Sequence, residues 1–264
     1  MPELPEVETT IRYLTSKVKG KKIISISKSQ KKLRKNLNFK DLESISQRKI
    51  ISVKRFAKYI VIRLDNDNYL IVHLGMSGRL KFYLNENYKK EKHDHVVLQF
   101  DKFKIVFNDP RRFGMFFRLE DVKEVEFFFN NYGTDLLVNK VKINEIYNKF
   151  ISKKVSLKQA LLNQSLIVGI GNIYANEALF HSRLSPLRLT NSLNLAELTQ
   201  LISSCKFVLK LSLKNGGSSI NDYKSPDGTL GSFQSLFKVY QKKHVTYKKK
   251  SYKIKKIIQN GRST

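Results

Sequence analysis

The chain has 264 residues, with 50 Lys and Arg against 22 Asp and Glu, a formal net charge of +28 and a pI near 10.0. A hydrophobic fraction of 41% and 17 Phe place that charge on a folded body and exclude a disordered basic tail. No apolar run approaches the roughly 18 residues needed to span a bilayer, and the single cysteine, Cys205, excludes an internal disulfide and a thiolate zinc site supplied by this chain alone.

Val7, Ile11, Leu14 and Val18 recur at spacings of four, three and four, which predicts a helix over 6–18. Pro5 suits its first turn, and Glu6 and Glu8 complement the positive end of its dipole. From 22 to 119 the period changes. Runs at 23–27, 59–64, 69–74, 80–84, 96–100, 103–107 and 115–119 are short and rich in Ile, Val, Phe and Tyr. Turn clusters such as Asp65-Asn66-Asp67-Asn68 separate them, so this stretch reads as a β-sandwich or barrel. From 140 the period becomes helical again: Ile143, Tyr147 and Phe150 share a face. Leu198, Leu201, Ile202, Cys205, Val208, Leu209 and Ser212 share another, on a helix over about 194–214 that Gly216-Gly217 stops. The segment 217–231, rich in Gly, Ser, Asp and Pro, reads as a mobile loop. After it, 233–240 and the Lys/Tyr/Ile stretch to Thr264 predict a basic terminal hairpin.

Such a charge excess points to a polyanion. Nucleic acid fits better than an anionic membrane, because no segment is built as a long basic amphipathic helix. Glu3, Glu6 and Glu8 stand where a targeting peptide would be basic, so an intracellular protein is expected.

The first residues, Met1-Pro2-Glu3-Leu4-Pro5-Glu6, put a small residue second, and removal of Met1 would expose the secondary amine of Pro2. An α-amine titrates far below lysine, so part of it is a free nucleophile near neutral pH. Attack on an aldehydic or glycosidic carbon yields an iminium that stays charged and acts as an electron sink. Glu3 beside it suits a general acid toward a sugar oxygen or leaving group. The same residues also read simply as a helix start, and Met76 and Phe113 equally as strand residues in a core.

Several strings, in order along nearly the whole chain, carry a family resemblance. They are Met1 to Thr9, Arg55-Phe56-Ala57-Lys58-Tyr59, His73-Leu74-Gly75-Met76-Ser77-Gly78, Lys92-His93-Asp94-His95-Val96, Asp109-Pro110-Arg111-Arg112-Phe113-Gly114, Gly169-Ile170-Gly171-Asn172-Ile173-Tyr174-Ala175 and Gly261-Arg262-Ser263-Thr264. The chain resembles the bacterial formamidopyrimidine-DNA glycosylases. That resemblance implies an α+β protein with an N-terminal helix and antiparallel β-sandwich over 1–132, a catalytic domain. A helical helix–two-turn–helix domain with a lesion-capping loop would follow over 133–231, and a finger hairpin over 232–264.

The implied activity is excision of oxidised purines, 8-oxoguanine and formamidopyrimidines, from duplex DNA, followed by cleavage of the abasic site through β,δ-elimination. Pro2, Glu3, Lys58 and Arg262 are then the expected catalytic set. Met76, Arg111 and Phe113 match the trio that fills the void left by an extruded nucleotide. His93 and Arg111 match DNA-contacting positions, with His95, one strand period on, pointing the same way as His93. Lys153, Lys154 and Asn172 match phosphate contacts of the helical element, Asn172 opening a helix after a glycine turn. Ser218, Ser219 and Tyr223 match the loop that closes over the flipped base.

Two histidines and Asp94 lack a fourth ligand, so no metal is expected there. In the terminal hairpin Tyr247 and Lys250 stand where most members carry the first Cys-x-x-Cys pair, and the chain stops at Thr264 before a second pair. A zincless finger without zinc or any other cofactor is therefore expected, with Val245, Tyr247, Tyr252, Ile254, Ile257 and Ile258 supplying an apolar face. Double-stranded DNA is the expected partner of a monomer working without a membrane, in a bacterial cytoplasm. Two rival readings are an endonuclease VIII-type oxidised-pyrimidine glycosylase, disfavoured by Leu4, Met76 and Lys92 to Val96, and a catalytically dead basic DNA-binding protein.

Overall fold

Helix α1 (Leu4–Val18) starts two residues before its apolar stripe predicts. The reason is a capping box: the Glu3 side chain accepts from the Glu6 N–H, and the Glu6 side chain accepts from the Glu3 N–H at 2.8 Å. The computed structural model describes residues 2–138, 140–220 and 223–264; the expected removal of Met1 lies outside them.

Eight strands follow: β1 (Ser25–Lys28), β2 (Ile50–Phe56), β3 (Tyr59–Leu64), β4 (Tyr69–His73), β5 (Arg79–Leu84), β6 (Asp94–Gln99), β7 (Phe103–Asn108) and β8 (Met115–Leu119). They form two four-stranded antiparallel sheets, in the orders β1-β6-β7-β5 and β2-β3-β4-β8. Val7, Ile11, Leu14 and Val18 of α1 join Ile60, Ile62, Leu70 and Val72 of one sheet and Leu80, Leu98, Ile105 and Phe107 of the other in a single buried cluster. The sandwich expectation holds.

Two short helices, α2 (Phe39–Ile45) and α3 (Val122–Phe129), escape the sequence reading. Asn38 and Asp121 cap them by accepting from the N–H three residues on. Helix α3 places Phe128 and Phe129 against Tyr59, Phe56 and Phe117, and Lys35 Nζ lies 3.8 Å from the centre of the Phe117 ring.

Helices α4 (Ile143–Ile151), α5 (Leu157–Leu162), α6 (Asn172–Ser182) and α7 (Leu195–Lys214) form a second unit. Residues 173–179 of α6 are all buried, which makes it the central helix. The terminal segment adds two small antiparallel ladders: β9 (His244–Tyr247) with β10 (Lys250–Lys253), and β11 (Ile258–Gln259) with β12 (Arg262–Ser263). Asn260 and Gly261 both take positive φ, 49° and 71°, the turn chemistry that an Asn-Gly pair favours.

The division into units differs from the sequence boundaries. Asn215–Ser232 groups with the β-rich unit, and Phe233–Thr264 groups with the helices. Hydrogen bonds explain both shifts. Ser218 and Tyr223 bond to Glu6 of α1, and Phe82 N–H donates to Pro226 O. In the second unit the buried Glu177 carboxylate of α6 accepts from the backbone N–H groups of Lys238, Val239 and Tyr240 at 2.7–3.0 Å.

The expected apolar face of the hairpin does not form a closed core. Tyr252 and Ile258 are exposed, Ile258 by 76%, while Val245, Tyr247, Ile254 and Ile257 are half-buried. A two-stranded ribbon has only one neighbour for each side chain, and nothing covers its outer face among the described residues.

Asp109 organises the loop that carries Arg111 and Phe113. Fully buried, it accepts from Ser77 Oγ at 2.6 Å, Arg111 N–H at 3.3 Å and Gly114 N–H at 2.8 Å. Replacement Asp109→Ala strands those donors and should destabilise the first unit by about 2–3 kcal/mol, read as a lower urea midpoint with an unchanged m-value.

Candidate active site and nucleic-acid interface

In the β-rich unit, Pro2 and Glu3 are buried at the head of α1. Glu6, one turn into the helix, is a hub that sequence reasoning used only as a dipole partner. Its Oε2 accepts from Glu3 N–H, and its Oε1 accepts from Ser218 N–H at 2.7 Å and Ser218 Oγ at 3.0 Å. Its backbone carbonyl accepts from Tyr223 Oη and Thr10 Oγ1, each at 2.9 Å. Burial pushes the Tyr223 phenol up to about 12, so it stays a donor. Two of the three expected capping-loop residues thus point their polar groups at α1. The third, Ser219, accepts from Gly231 N–H at 2.8 Å and closes the base of the loop. Gly217 enters it at φ +82°, where an added Cβ would stand 3.0 Å from Glu6 Oε1.

Lys58 lies in the two-residue turn between β2 and β3, after Ala57 at φ 50°, and is buried. Beside it His73 ends β4, its Nδ1 accepting from Gly75 N–H at 3.0 Å. Burial, then the charges of Lys58 and Arg34, lower the His73 pKa to about 4. The imidazole is therefore neutral at physiological pH, and the sequence motif contains it without revealing that role. Gly75, at φ +63°, lets the chain approach Phe113 closely: a Cβ there would meet the Phe113 carbonyl carbon and Gly114 N at 2.6 Å.

The trio expected to fill the void is displayed rather than packed. Met76 is 38% and Phe113 47% exposed, and the Arg111 guanidinium lies 5.2 Å from the Phe113 ring centre. Lys32, Arg34, Arg111 and Arg112 line an open cavity beside Phe113, a concentration of cations suited to phosphates. The histidine pair differs in burial. A register shift between Asp94 and Val96 breaks the alternation. His93 stays half-buried before β6, while His95 is buried with its ring nitrogens bonded to Ser29 Oγ at 3.0 Å and Asp109 O at 2.9 Å.

In the helical unit, Lys153 and Lys154 are exposed after α4, free of the fold's interior. Lys158 behaves differently: it is buried in α5 and its Nζ donates to Ser263 O at 2.6 Å and Thr264 Oγ1 at 2.5 Å. Burial, then the nearby charge of Arg262, lower its pKa to about 8. Asn172, at the first turn of α6, donates from Nδ2 to the same Ser263 carbonyl at 2.9 Å, and its buried Oδ1 has no hydrogen-bond partner. The Asn172 side chain is thus committed to the terminal strand, leaving the start of α6 to offer backbone N–H groups. Arg262 itself is exposed on β12, and Lys158, Asn163, Gln259 and Asn260 line a cavity of about 360 Å3 with it.

A zinc ion does not fit this donor set. Tyr247 and Lys250 flank the β9–β10 turn, and the one thiol, Cys205, is buried in α7 with its pKa pushed up to about 12 by desolvation. Among the described residues no group of three or more His, Cys, Asp or Glu is placed to hold a metal.

Comparison with known proteins matches residues 1–116 to the Formamidopyrimidine-DNA glycosylase N-terminal domain and 132–224 to the Formamidopyrimidine-DNA glycosylase H2TH domain. A formamidopyrimidine-DNA glycosylase of the Wolbachia of Brugia malayi is 41% identical over 100% of this chain and 97% of its own length. Another from Zymomonas mobilis is 42% identical over 92% of this chain and 89% of its own. Among solved structures, a mutant Lactococcus lactis FPG in complex with a Fapy-dG containing DNA aligns with a TM-score of 0.91 at 30% identity, covering 100% of this chain and 97% of that one. With relatives matched along its whole length and the same fold in a solved structure, this chain belongs to the formamidopyrimidine-DNA glycosylase family.

Proposed function

We propose that this protein excises oxidised purines from duplex DNA and then cleaves the strand at the resulting abasic site. The observation that carries the reading is the head of α1, where an intact Pro2-Glu3 pair is buried and its backbone is fixed by Glu6. The solved relative bound to Fapy-dG DNA supports the same substrate class.

The chemistry follows from that pair. Once Met1 is removed, the Pro2 amine attacks C1′ of the damaged nucleotide. Glu3 protonates the sugar ring oxygen or the departing base, the bond from C1′ to the base breaks, and its electron pair leaves with the base. The C1′–O4′ bond then opens, its electron pair going to O4′, which takes up a proton, and the C1′–N bond to Pro2 becomes an iminium, which acidifies C2′. Loss of a C2′ proton expels the 3′ phosphate, and a second elimination expels the 5′ phosphate. Water then releases Pro2 from the sugar fragment. The organic iminium is the only electron sink required, so the reaction runs without a metal or cofactor.

The remaining residues bind and orient. Lys58 and Arg262 neutralise the departing phosphates; Lys153, Lys154 and the first N–H groups of α6 hold the backbone. Met76, Arg111 and Phe113 enter the space vacated by the flipped nucleotide, and His93 contacts the strand nearby. Ser218, Ser219 and Tyr223 act on the lesion through the loop they anchor. A monomer suffices for these steps.

Borohydride trapping with a duplex carrying 8-oxoguanine opposite cytosine should give a reduced crosslink that mass spectrometry maps to Pro2. Pro2→Gly should abolish trapping and base release while leaving salt-dependent DNA binding intact; equal loss of both would sink the assignment. Glu3→Gln should slow base release by about 10²–10⁴-fold, with a smaller effect on a preformed abasic site. Prolonged dialysis against a chelator should leave the rate of strand cleavage unchanged and elemental analysis should find no stoichiometric zinc. Inactivation reversed by added zinc would refute metal-free action.

A further inference from the structure

The terminal hairpin presents a physical problem. Nine lysines and no acidic residue fall between residues 233 and 264, so its cations repel one another. Its apolar side chains do not bury each other either, and no metal fits it. They line a space instead. Ile254 and Ile257 face Leu179 and Leu184, from α6 and the turn after it, across a cavity of about 780 Å3. That volume falls in the range of small-molecule sites.

The rim is cationic. Arg183, Lys238 and Lys255 contribute to the lining, and no Asp or Glu side chain does. Arg183 takes the left-handed conformation at the end of α6, φ 58°, and its guanidinium lies 5.2 Å from the centre of the Tyr247 ring, another wall of the cavity. An apolar floor, an aromatic wall and a positive rim select a ligand with a flat apolar body and an anionic group: the body finds the wall it lacks water contact with, and the anion meets the cations.

We propose that this cavity is a binding site for an apolar-bodied organic anion, an aromatic carboxylate or sulfonate in chemical class, whose occupancy supplies the terminal hairpin with the core and the counter-charge it lacks. Thr264 lines the cavity and is held by Lys158, and Arg262 lies two residues before it. The ligand therefore braces the strand that presents Arg262. This site is separate from the residues assigned to base excision and stands whether or not that assignment does.

The probe is 1-anilinonaphthalene-8-sulfonate, titrated into the full-length protein and followed by fluorescence. The expected result is saturable one-to-one binding that raises the thermal midpoint of the protein. Leu184→Glu, which puts a carboxylate into the floor, should weaken binding at least tenfold; Lys255→Glu, an exposed change that spares the fold, should weaken it several-fold. The uncharged analogue N-phenyl-1-naphthylamine should bind more weakly to the wild type and lose nothing in Lys255→Glu. Non-saturable binding, or equal affinity in all three proteins while each keeps its thermal midpoint, overturns the proposal.

Discussion

The buried carboxylate of Glu6 is the contact on which the β-rich unit's candidate site depends. A carboxylate taken out of water is costly unless its oxygens are satisfied. Here three donors meet it: the Glu3 N–H, the Ser218 N–H and the Ser218 hydroxyl. The helix-start N–H groups also need acceptors, so the charge sits where the dipole of α1 favours it. One side chain thus fixes the residue that follows Pro2 and, more than 200 positions away, the entry to the loop. Removing it would leave several buried donors without acceptors at once, which is why the N-terminal Pro-Glu pair and the loop behave as one element.

The helical unit solves the opposite problem at the other end of the chain. Terminal residues fray unless they are tied down, and Arg262 lies two residues before Thr264. Lys158 and Asn172 both donate to the Ser263 carbonyl, and Lys158 also holds Thr264. Glu177 secures the start of the same segment through three backbone N–H groups. Buried ions of opposite sign therefore grip the two ends of a segment that has little core. Glu177 spends its charge on main-chain N–H groups alone and Lys158 on a main-chain carbonyl as well as the Thr264 hydroxyl, which makes most of the grip independent of the sequence of the segment it holds. That independence accounts for a hairpin able to carry Tyr247, Lys250 and eight further lysines without losing its attachment.

The parts legible in the sequence were those with a strong local period or a dense motif. Seven of the eight sandwich strands carry runs of β-branched and aromatic residues, and the helix over 194–214 carries a long apolar stripe; both were visible. Strand β2 was hidden because Lys54 and Arg55 interrupt its apolar residues, the burial of Ile50 and Val53 being set by the neighbouring strand and by α1. Helix α3 was hidden because Glu-Phe-Phe-Phe reads as a strand until Asp121 is seen to cap it. At the site, motifs located the reactive residues but not their supports. Glu6, Asp109 and Glu177 act by bonding to main-chain groups distant in sequence, and pattern reading has no access to such partners. The bulge at Asp94 and Val96 was likewise out of reach of the sequence, and His95, the residue it inserts, is buried on Ser29 and Asp109.

These supports matter because the proposed chemistry tolerates little displacement. Attack by a secondary amine requires its lone pair within near-attack distance of C1′, and a misplacement of about 1 Å can cost 10²-fold. Pro2 sits at a chain terminus, the least constrained kind of position, and it gains its constraint from helix capping rather than from its own side chain. In the proposed chemistry the capping box and the Glu6 hub give a flexible end a fixed position. Lys58 is confined in a different way, by a tight two-residue turn and by the neutral His73 next to it. A protonated His73 would repel that lysine, so the burial that keeps the imidazole neutral also lets a second cation stand beside Arg34. Rigid positions for like charges are what a phosphate-binding surface requires, since the repulsion among them is relieved only when the phosphate arrives.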